Sequence, residues 1–156
     1  GLEHDEKGHP SGNPENHQKM TDKRRNKLVT LAAELPLPEI YREEDGEILL
    51  LGWGSTYGPV REACDRLREK GLCASATHIR HLHPLPSGLN ELLARFEHIF
   101  VVEMNDSGVY GYGQLATILR AASCNSGIHS LCKTDGLAYR VSEIVDGVDS
   151  FTIQSS

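Results

Sequence analysis

The chain has 156 residues, 38% hydrophobic and 24% charged, with a formal net charge of −6. That is enough for one domain with a sizeable core, which needs no disulfide or metal to hold it. Apolar runs no longer than Ile48 to Leu51 exclude a membrane-spanning helix, and the acidic balance argues against nonspecific nucleic-acid binding, so neither membrane nor nucleic acid is expected as a partner.

The start, Gly1-Leu2-Glu3-His4-Asp5-Glu6, is polar, so no signal peptide is expected. With no initial methionine, the chain is expected to be a piece of a longer protein. Residues 3–27 contain one large apolar side chain, Met20, among charged, amide, Gly and Pro residues. Such a stretch cannot bury enough surface to offset its ordering entropy, so a flexible arm is expected when it stands alone. Thr21-Asp22 reads as a helix start, with Leu28, Leu31, Ala32 and Leu35 at helical spacing and Pro36 and Pro38 ending it. The expected organisation is therefore a polar arm and linker helix over residues 1–36, followed by a folded domain over 37–156.

Glu39 to Arg42 reads as a short strand before the Asp45-Gly46 turn. Glu47 to Trp53 is a buried strand. Pro59 suits the first turn of a helix whose apolar face is Val60, Ala63, Cys64 and Leu67, with Gly71 closing it. Cys73 to His81 is a second strand. Ser87 is placed to cap a helix with Leu89, Leu92, Leu93 and Phe96 inward. His98 to Glu103 is a third strand. Leu115, Ile118, Leu119 and Ala122 line a third helix, Ile128 to Cys132 is a fourth strand, and Ser142-Glu143 opens a last short helix, with no assignment after Asp149. This alternation predicts a three-layer α/β domain with a mostly parallel central sheet over roughly residues 37–149.

Cysteines stand at 64, 73, 124 and 132 with no CxxC, which gives no support to zinc-ribbon, thioredoxin-like or iron–sulfur readings. Cys64 and Cys132 lie in apolar patterns, so buried reduced thiols in a cytoplasmic protein are expected.

In an open α/β sheet, ligands and partners use the carboxyl ends of the strands. Four Gly-, aromatic- and His-rich segments are expected to converge there: GWGSTYGP, HLHPLPSG, MNDSGVYGYG and KTDGLAYR. Gly54, Ser55 and Thr56 form a strand-to-helix turn that fails the dinucleotide pattern, because Tyr57 stands where the third glycine is needed. Gly108 to Leu115 approaches a phosphate loop but carries Gln114 in place of its lysine, so a backbone-rich docking loop with Asn105, Asp106, Tyr110 and Tyr112 is the reading. Lys133 completes the interface or anion candidates. His78, His81 and His83 cluster, with His81 and His83 on one strand face, but spacing fixes no carboxylate beside them and no metal site is expected. Glu103 is either a base or an acid bonded to neighbouring backbone, the latter favoured because the pattern places no nucleophile or second acid near it. GxSxG, HExxH and paired-carboxylate signatures are missing.

Taken together, GLEHDEKGHPSGNPENHQKMTDKRRNKL, EILLLGWGSTYGPVREACDRLREKG, HIRHLHPLP and VVEMNDSGVYGYGQLATILRA resemble the carboxyl-terminal part of the alpha subunit of 2-oxoacid:ferredoxin oxidoreductases, most of all the 2-oxoglutarate enzyme. Here Asp106 to Tyr112 lengthens the phrase before Gly113-Gln114-Leu115, and the family's K-x-x-G phrase is Lys133-Thr134-Asp135-Gly136. The resemblance implies a transketolase carboxyl-terminal-like domain with one antiparallel strand. It implies an intact enzyme that oxidatively decarboxylates a 2-oxoacid with thiamine diphosphate, magnesium, coenzyme A and iron–sulfur clusters, and passes electrons to ferredoxin. The implied partners are the beta subunit and the remaining alpha-subunit domains. The diphosphate is implied to lie elsewhere, each Asp-Gly here (45–46, 135–136, 146–147) lacking the preceding glycine, and so are the clusters, since there is no cluster-binding cysteine set. An arm leaving the catalytic domain makes Glu3 and His4 candidates for approaching the bound substrate, against the alternative of a plain linker. The alternatives are the corresponding domain of a transketolase or of a 2-oxoacid dehydrogenase beta subunit, or a standalone module that binds a partner or anion.

Overall fold

The computed structural model describes residues 2–155, with side chains through Phe151; Gly1, the first residue of the polar start, and Ser156 lie outside the described residues. There are two compact units, Gly1–Pro36 with His83–Ser87, and Leu37–Leu82 with Gly88–Ser156.

In the first unit, β1 (Glu3–His4) and β2 (Pro10–Ser11) pair antiparallel. The Asp5 carboxylate closes their turn by accepting the Lys7 and His9 amides at 2.8 and 2.9 Å. Helix α1 spans Pro14–Glu34. It begins well before Thr21-Asp22, because Asn13 Oδ1 accepts the Glu15 and Asn16 amides at 2.7 and 3.1 Å, with Pro14 in the first turn. Met20 is its one buried residue, while Leu28 and Leu31 are exposed. The polar stretch is thus ordered by capping and charge pairing. Arg24 holds Glu3 at 2.6 Å, and Lys19 and Lys23 hold Glu6 at 2.8 and 3.3 Å. The Ser87 amide donates to the Ala32 carbonyl at 2.9 Å.

The second unit holds a five-stranded sheet made of β3 (Ile40–Tyr41), β4 (Gly46–Trp53), β5 (Ala74–Ile79), β6 (Phe96–Glu103) and β7 (Ile128–Cys132), in the order β3-β5-β4-β6-β7. The β5–β4–β6–β7 pairs are parallel, with Leu50 between Ala76 and Phe100. Only β3 runs antiparallel, Ile40 facing Thr77. The helices are α2 (Tyr57–Glu69), α3 (Leu89–Leu93), α4 (Gln114–Ser123) and α5 (Val141–Ser155). Ile48, Leu50, Phe100 and Val102 pack with Val60, Cys64 and Leu67 of α2 and with Ile144 and Val148 of α5. Alternate residues Leu49, Leu51, Ile99 and Val101 are fully buried on the opposite face of the pleat. Two buried faces explain the continuous ILLL and IFVV runs, each such side chain contributing about 2 kcal/mol.

Some boundaries differ from expectation. Gly88 (φ +85°), not Ser87, precedes α3, and Phe96 opens β6 opposite Gly46 instead of facing inward from a helix. Ile118 of α4 is exposed and Ala116 takes the buried position. Helix α5 begins at Val141 and continues past Asp149 to Ser155. Strand β5 ends at Ile79, so strand alternation does not reach His81 and His83. All four cysteines are free, with Cys64 buried and Cys132 half-buried. Among the described residues no helix is long and apolar enough to cross a membrane.

Candidate functional site at the carboxyl edge of the sheet

The β4 exit is a turn that closes on itself. Thr56 Oγ1 accepts the Trp53 amide at 3.0 Å and donates to the Trp53 carbonyl at 2.9 Å, and the residue is buried. A Cβ on Gly52 would lie 2.6 Å from that oxygen, so glycine is required there. Gly54, at φ +60°, and Ser55 are exposed, and Ser55 Oγ donates to Met104 Sδ at 3.2 Å, joining this turn to the β6 exit.

At the β6 exit the Glu103 side chain is fully buried (0% exposed). Its Oε2 accepts the Leu115 amide at 2.9 Å and Asn105 Nδ2 at 3.3 Å, while Oε1 accepts the Ala116 amide at 3.0 Å. A carboxylate at a helix N-terminus satisfies donors that otherwise have no partner, which offsets its burial. Of the two readings of Glu103 from sequence, the structure places it on neighbouring backbone. Asp106 Oδ2 accepts the Gly108 amide at 2.9 Å, and Gly108 and Gly111 have positive φ. The loop thereby projects Val109 and Tyr110, which are 91% and 88% exposed. Tyr112 is anchored, its ring centroid 4.5 Å from the Arg120 guanidinium.

At the β7 exit Lys133 Nζ meets Glu143 at 2.6 and 2.7 Å, Asp135 at 3.3 Å and the Ala138 carbonyl at 3.3 Å. Hydrogen bonding to Glu143 raises the Lys133 pKa, with a smaller contribution from Asp135. The same bond, with the Arg140 amide, lowers that of Glu143. The Lys133 amide donates to the Glu103 carbonyl at 3.1 Å, so the β6 and β7 exits adjoin. Trp53 Nε1, His78 Nδ1 and the Tyr139 hydroxyl are buried without a hydrogen-bond partner among the described residues.

The structure therefore brings Gly54, Ser55 and Thr56 beside Met104, next to Asn105 and Asp106, and brings Lys133 beside Glu103. It leaves Tyr110 at an exposed tip. Glu3 and His4 belong to the other unit: the Arg24 hydrogen bond, then the His4 amide, push the Glu3 carboxyl down to about 2, and His4 Nδ1 lies 2.6 Å from the Asp5 carbonyl. Sequence reading passed over Ser130, whose Oγ accepts the Gly113 amide at 2.9 Å, and the ring cluster of His98, Phe100, His129 and Phe151. The period-two spacing of His98 and Phe100 was the available signal.

The cysteines and carboxylates here do not suit the iron–sulfur clusters and magnesium that the resemblance implies for the intact enzyme. Cys64 Sγ is sealed in the core and donates to the Ala74 carbonyl, Cys132 Sγ shares a bond with Ser130, and Asp135 is tied to Lys133 and to the Leu137 amide. Among the described residues no three His, Cys, Asp or Glu side chains are grouped to hold a metal ion.

A mixed sheet with one antiparallel edge strand, helices on both faces and a Gly-rich carboxyl edge defines a three-layer α/β domain. A split-gene transketolase, an inactive beta4 tetramer, has this fold, with a TM-score of 0.58 at 15% identity over 73% of this chain and 40% of its own. Residues 46–144 match the family described as pyruvate:ferredoxin oxidoreductase core domain II, and the chain belongs to that family. The 2-oxoglutarate oxidoreductase subunit KorA of Mycobacterium tuberculosis is 34% identical over 140 residues, 88% of this chain and 20% of its own length. Subunit alpha of 2-oxoacid:ferredoxin oxidoreductase 1 of Aeropyrum pernix is 40% identical over 114 residues, 69% of this chain and 18% of its own length. The 2-oxoglutarate:ferredoxin oxidoreductase of Magnetococcus marinus, solved with 2-oxoglutarate, coenzyme A and succinyl-CoA bound, superposes with a TM-score of 0.80 at 31% identity, over 96% of this chain and 25% of that chain. The chain thus spans about a fifth of the length of these two curated relatives. These findings bear out the resemblance and the fold expected from sequence.

Proposed function

We propose that this chain is the non-catalytic assembly domain of the alpha subunit of a 2-oxoacid:ferredoxin oxidoreductase acting on 2-oxoglutarate. The intact cytoplasmic enzyme converts the 2-oxoacid to an acyl-CoA and reduces ferredoxin, with thiamine diphosphate, magnesium and iron–sulfur clusters held by its other domains and the beta subunit. The observation that carries the assembly role is the fate of the polar groups at the sheet edge. Glu103, Thr56 and Lys133 are each consumed in holding loops, while the exposed tip offers Val109 and Tyr110. Apolar side chains displayed on a braced loop suit a surface that another domain covers.

Co-expression with a candidate beta subunit and the remaining alpha-subunit domains tests the proposal. A stable complex with 2-oxoglutarate-dependent ferredoxin reduction is expected, while the chain alone binds no thiamine diphosphate. Tight binding of thiamine diphosphate by the chain alone would overturn it. Within the same proposal, Glu3 and His4 approach the substrate region in the intact enzyme. Replacing His4 with Ala then raises KM or lowers turnover, and unchanged kinetics would leave His4 a linker residue.

A further inference from the structure

On the face of the sheet covered by α5, four rings meet that the sheet-edge site does not use. Phe100 and His129 are register partners across β6 and β7, and His98 stands two residues before Phe100 on the same face. Phe151 of α5 sits on all three. Its ring centroid is 4.1 Å from that of His129, 4.9 Å from His98 and 5.4 Å from Phe100. His129 Nε2 and His98 Nδ1 lie 3.4 Å apart. One of these nitrogens must lack a proton for the two to bond.

We propose that the His98–His129 pair is a proton-operated latch for the carboxyl-terminal turns of α5. With at most one proton shared between the facing nitrogens, the pair is closed and Phe151 is seated on it. A second proton places two N–H groups face to face and loosens the helix end.

The surroundings favour this behaviour. On β6, Glu97 Oε1 lies 3.8 Å from His98 Nε2, on the side of the ring away from His129. It can stabilise charge on His98 but does not reach His129. On α4, the Arg120 guanidinium donates to the Ser126 and Ile128 carbonyls and adds positive potential beside His129. On α5, Asp146 is exposed and Asp149 pairs with Lys70 of the segment after α2 at 2.5 Å. Both charges on the pair are therefore not compensated together. Burial first, then His98 and Arg120, hold His129 below the ordinary histidine value. For a base lowered in the folded state, the stabilisation is present above the ordinary histidine value and is lost as pH falls through the lowered one. The part of α5 nearest the latch follows Ile144, Val145 and Val148, which remain packed in the core, so the loosening is local.

Hydrogen exchange of the full protein at about pH 7.5 and about pH 5, corrected for intrinsic rates, tests this. Protection over the Asp149–Phe151 part of α5 is expected to fall roughly tenfold more than protection in α2. His129→Phe keeps a ring against Phe151 but cannot be protonated, and the extra fall should vanish. Equal falls in α5 and α2, or an undiminished fall in H129F, would overturn the proposal. Should H129F not fold, ring-proton NMR decides: the His129 titration is expected to move when His98 is replaced by Gln, and an unmoved titration overturns the latch.

Discussion

The Glu103 carboxylate occupies the space that a Cβ on Gly113 would need: Oε1 would stand 2.4 Å from that carbon, and Cys132 Sγ 2.8 Å from it. The last residue of β6 and the residue preceding α4 are therefore matched, one supplying a buried charge and the other the room for it. Replacing Glu103 with Ala leaves the Leu115 and Ala116 amides without their acceptor and should cost about 3 kcal/mol in chemical denaturation. Gly113→Ala should cost about 2 kcal/mol by overpacking. Because the two residues are in contact, the losses should be less than additive in the double variant, measured by a double-mutant cycle.

Thr56 fills the same kind of position at the β4 exit. Thr56→Val keeps the side-chain shape but removes both bonds to Trp53. A loss of about 1–2 kcal/mol is expected from equilibrium unfolding, with Thr56→Ser recovering most of it. Full stability in the valine variant would mean that the hydroxyl does not hold the turn.

The acid sensitivity of the amino-terminal hairpin follows from Glu3. Its carboxyl is held down, first by the Arg24 hydrogen bond and then by the His4 amide, from 4.5 to about 2. A carboxylate lowered in the folded state stabilises the hairpin above its ordinary value, and that contribution is lost as pH falls from near 4.5 to about 2. Amide NMR should show the His4, Lys7, His9 and Ser11 signals moving over that interval. In Glu3→Gln the Glu3-dependent part of this response should be missing.

Much of the sheet was legible in the chain, and the reason is physical. Fully buried parallel strands read as unbroken β-branched and leucine runs, as in Ile48–Leu51 and Ile99–Val102, and glycine marks where the following helices stop or start, as at Gly71. The amino-terminal helix was legible only in part. Its first turns carry no apolar periodicity, and the signal that sets its start is the Asn13-Pro14 cap, not a hydrophobic stripe. The candidate site was harder still. The sequence placed Gly54, Asn105 and Lys133 at strand ends but could not say that Ser55 would reach Met104 or that Lys133 would be saturated by Glu143, because these pairs are joined only by the crossovers of the fold. The ring cluster with Phe151 is hidden for the same reason, since the pattern carries no assignment after Asp149, where α5 in fact continues.

Lys133 and Glu143 connect the β7 exit to α5, and each shifts the other in the direction of charge. Lys133→Met should remove the bond that keeps the Glu143 carboxyl low. Glu143 then contributes less stability above the ordinary carboxylate range and has less to lose on acidification, so the stability-versus-pH curve of the variant should be flatter on its acid side than that of the unmodified protein. Parallel curves would show that the Arg140 amide alone sets the behaviour of Glu143.

The loop tip gives the sharpest test of the assembly reading in the intact enzyme. Val109 and Tyr110 contribute little to the folded state of this chain, being almost wholly exposed, while the backbone beneath them is fixed by Asp106 and by the Glu103–Gly113 match. A V109D/Y110D variant should therefore retain the thermal stability of the chain to within about 0.5 kcal/mol. If the tip enters an apolar pocket of a neighbouring domain or subunit, the same variant should weaken assembly by tenfold or more, the scale of losing a buried tyrosine anchor at about 2 kcal/mol. Sedimentation of the co-expressed subunits reads the outcome, and specific activity should fall in proportion to the complex lost, with KM unchanged in the fraction that assembles. Unaltered assembly would remove the tip from the interface. A raised KM in fully assembled enzyme would instead place it at the substrate.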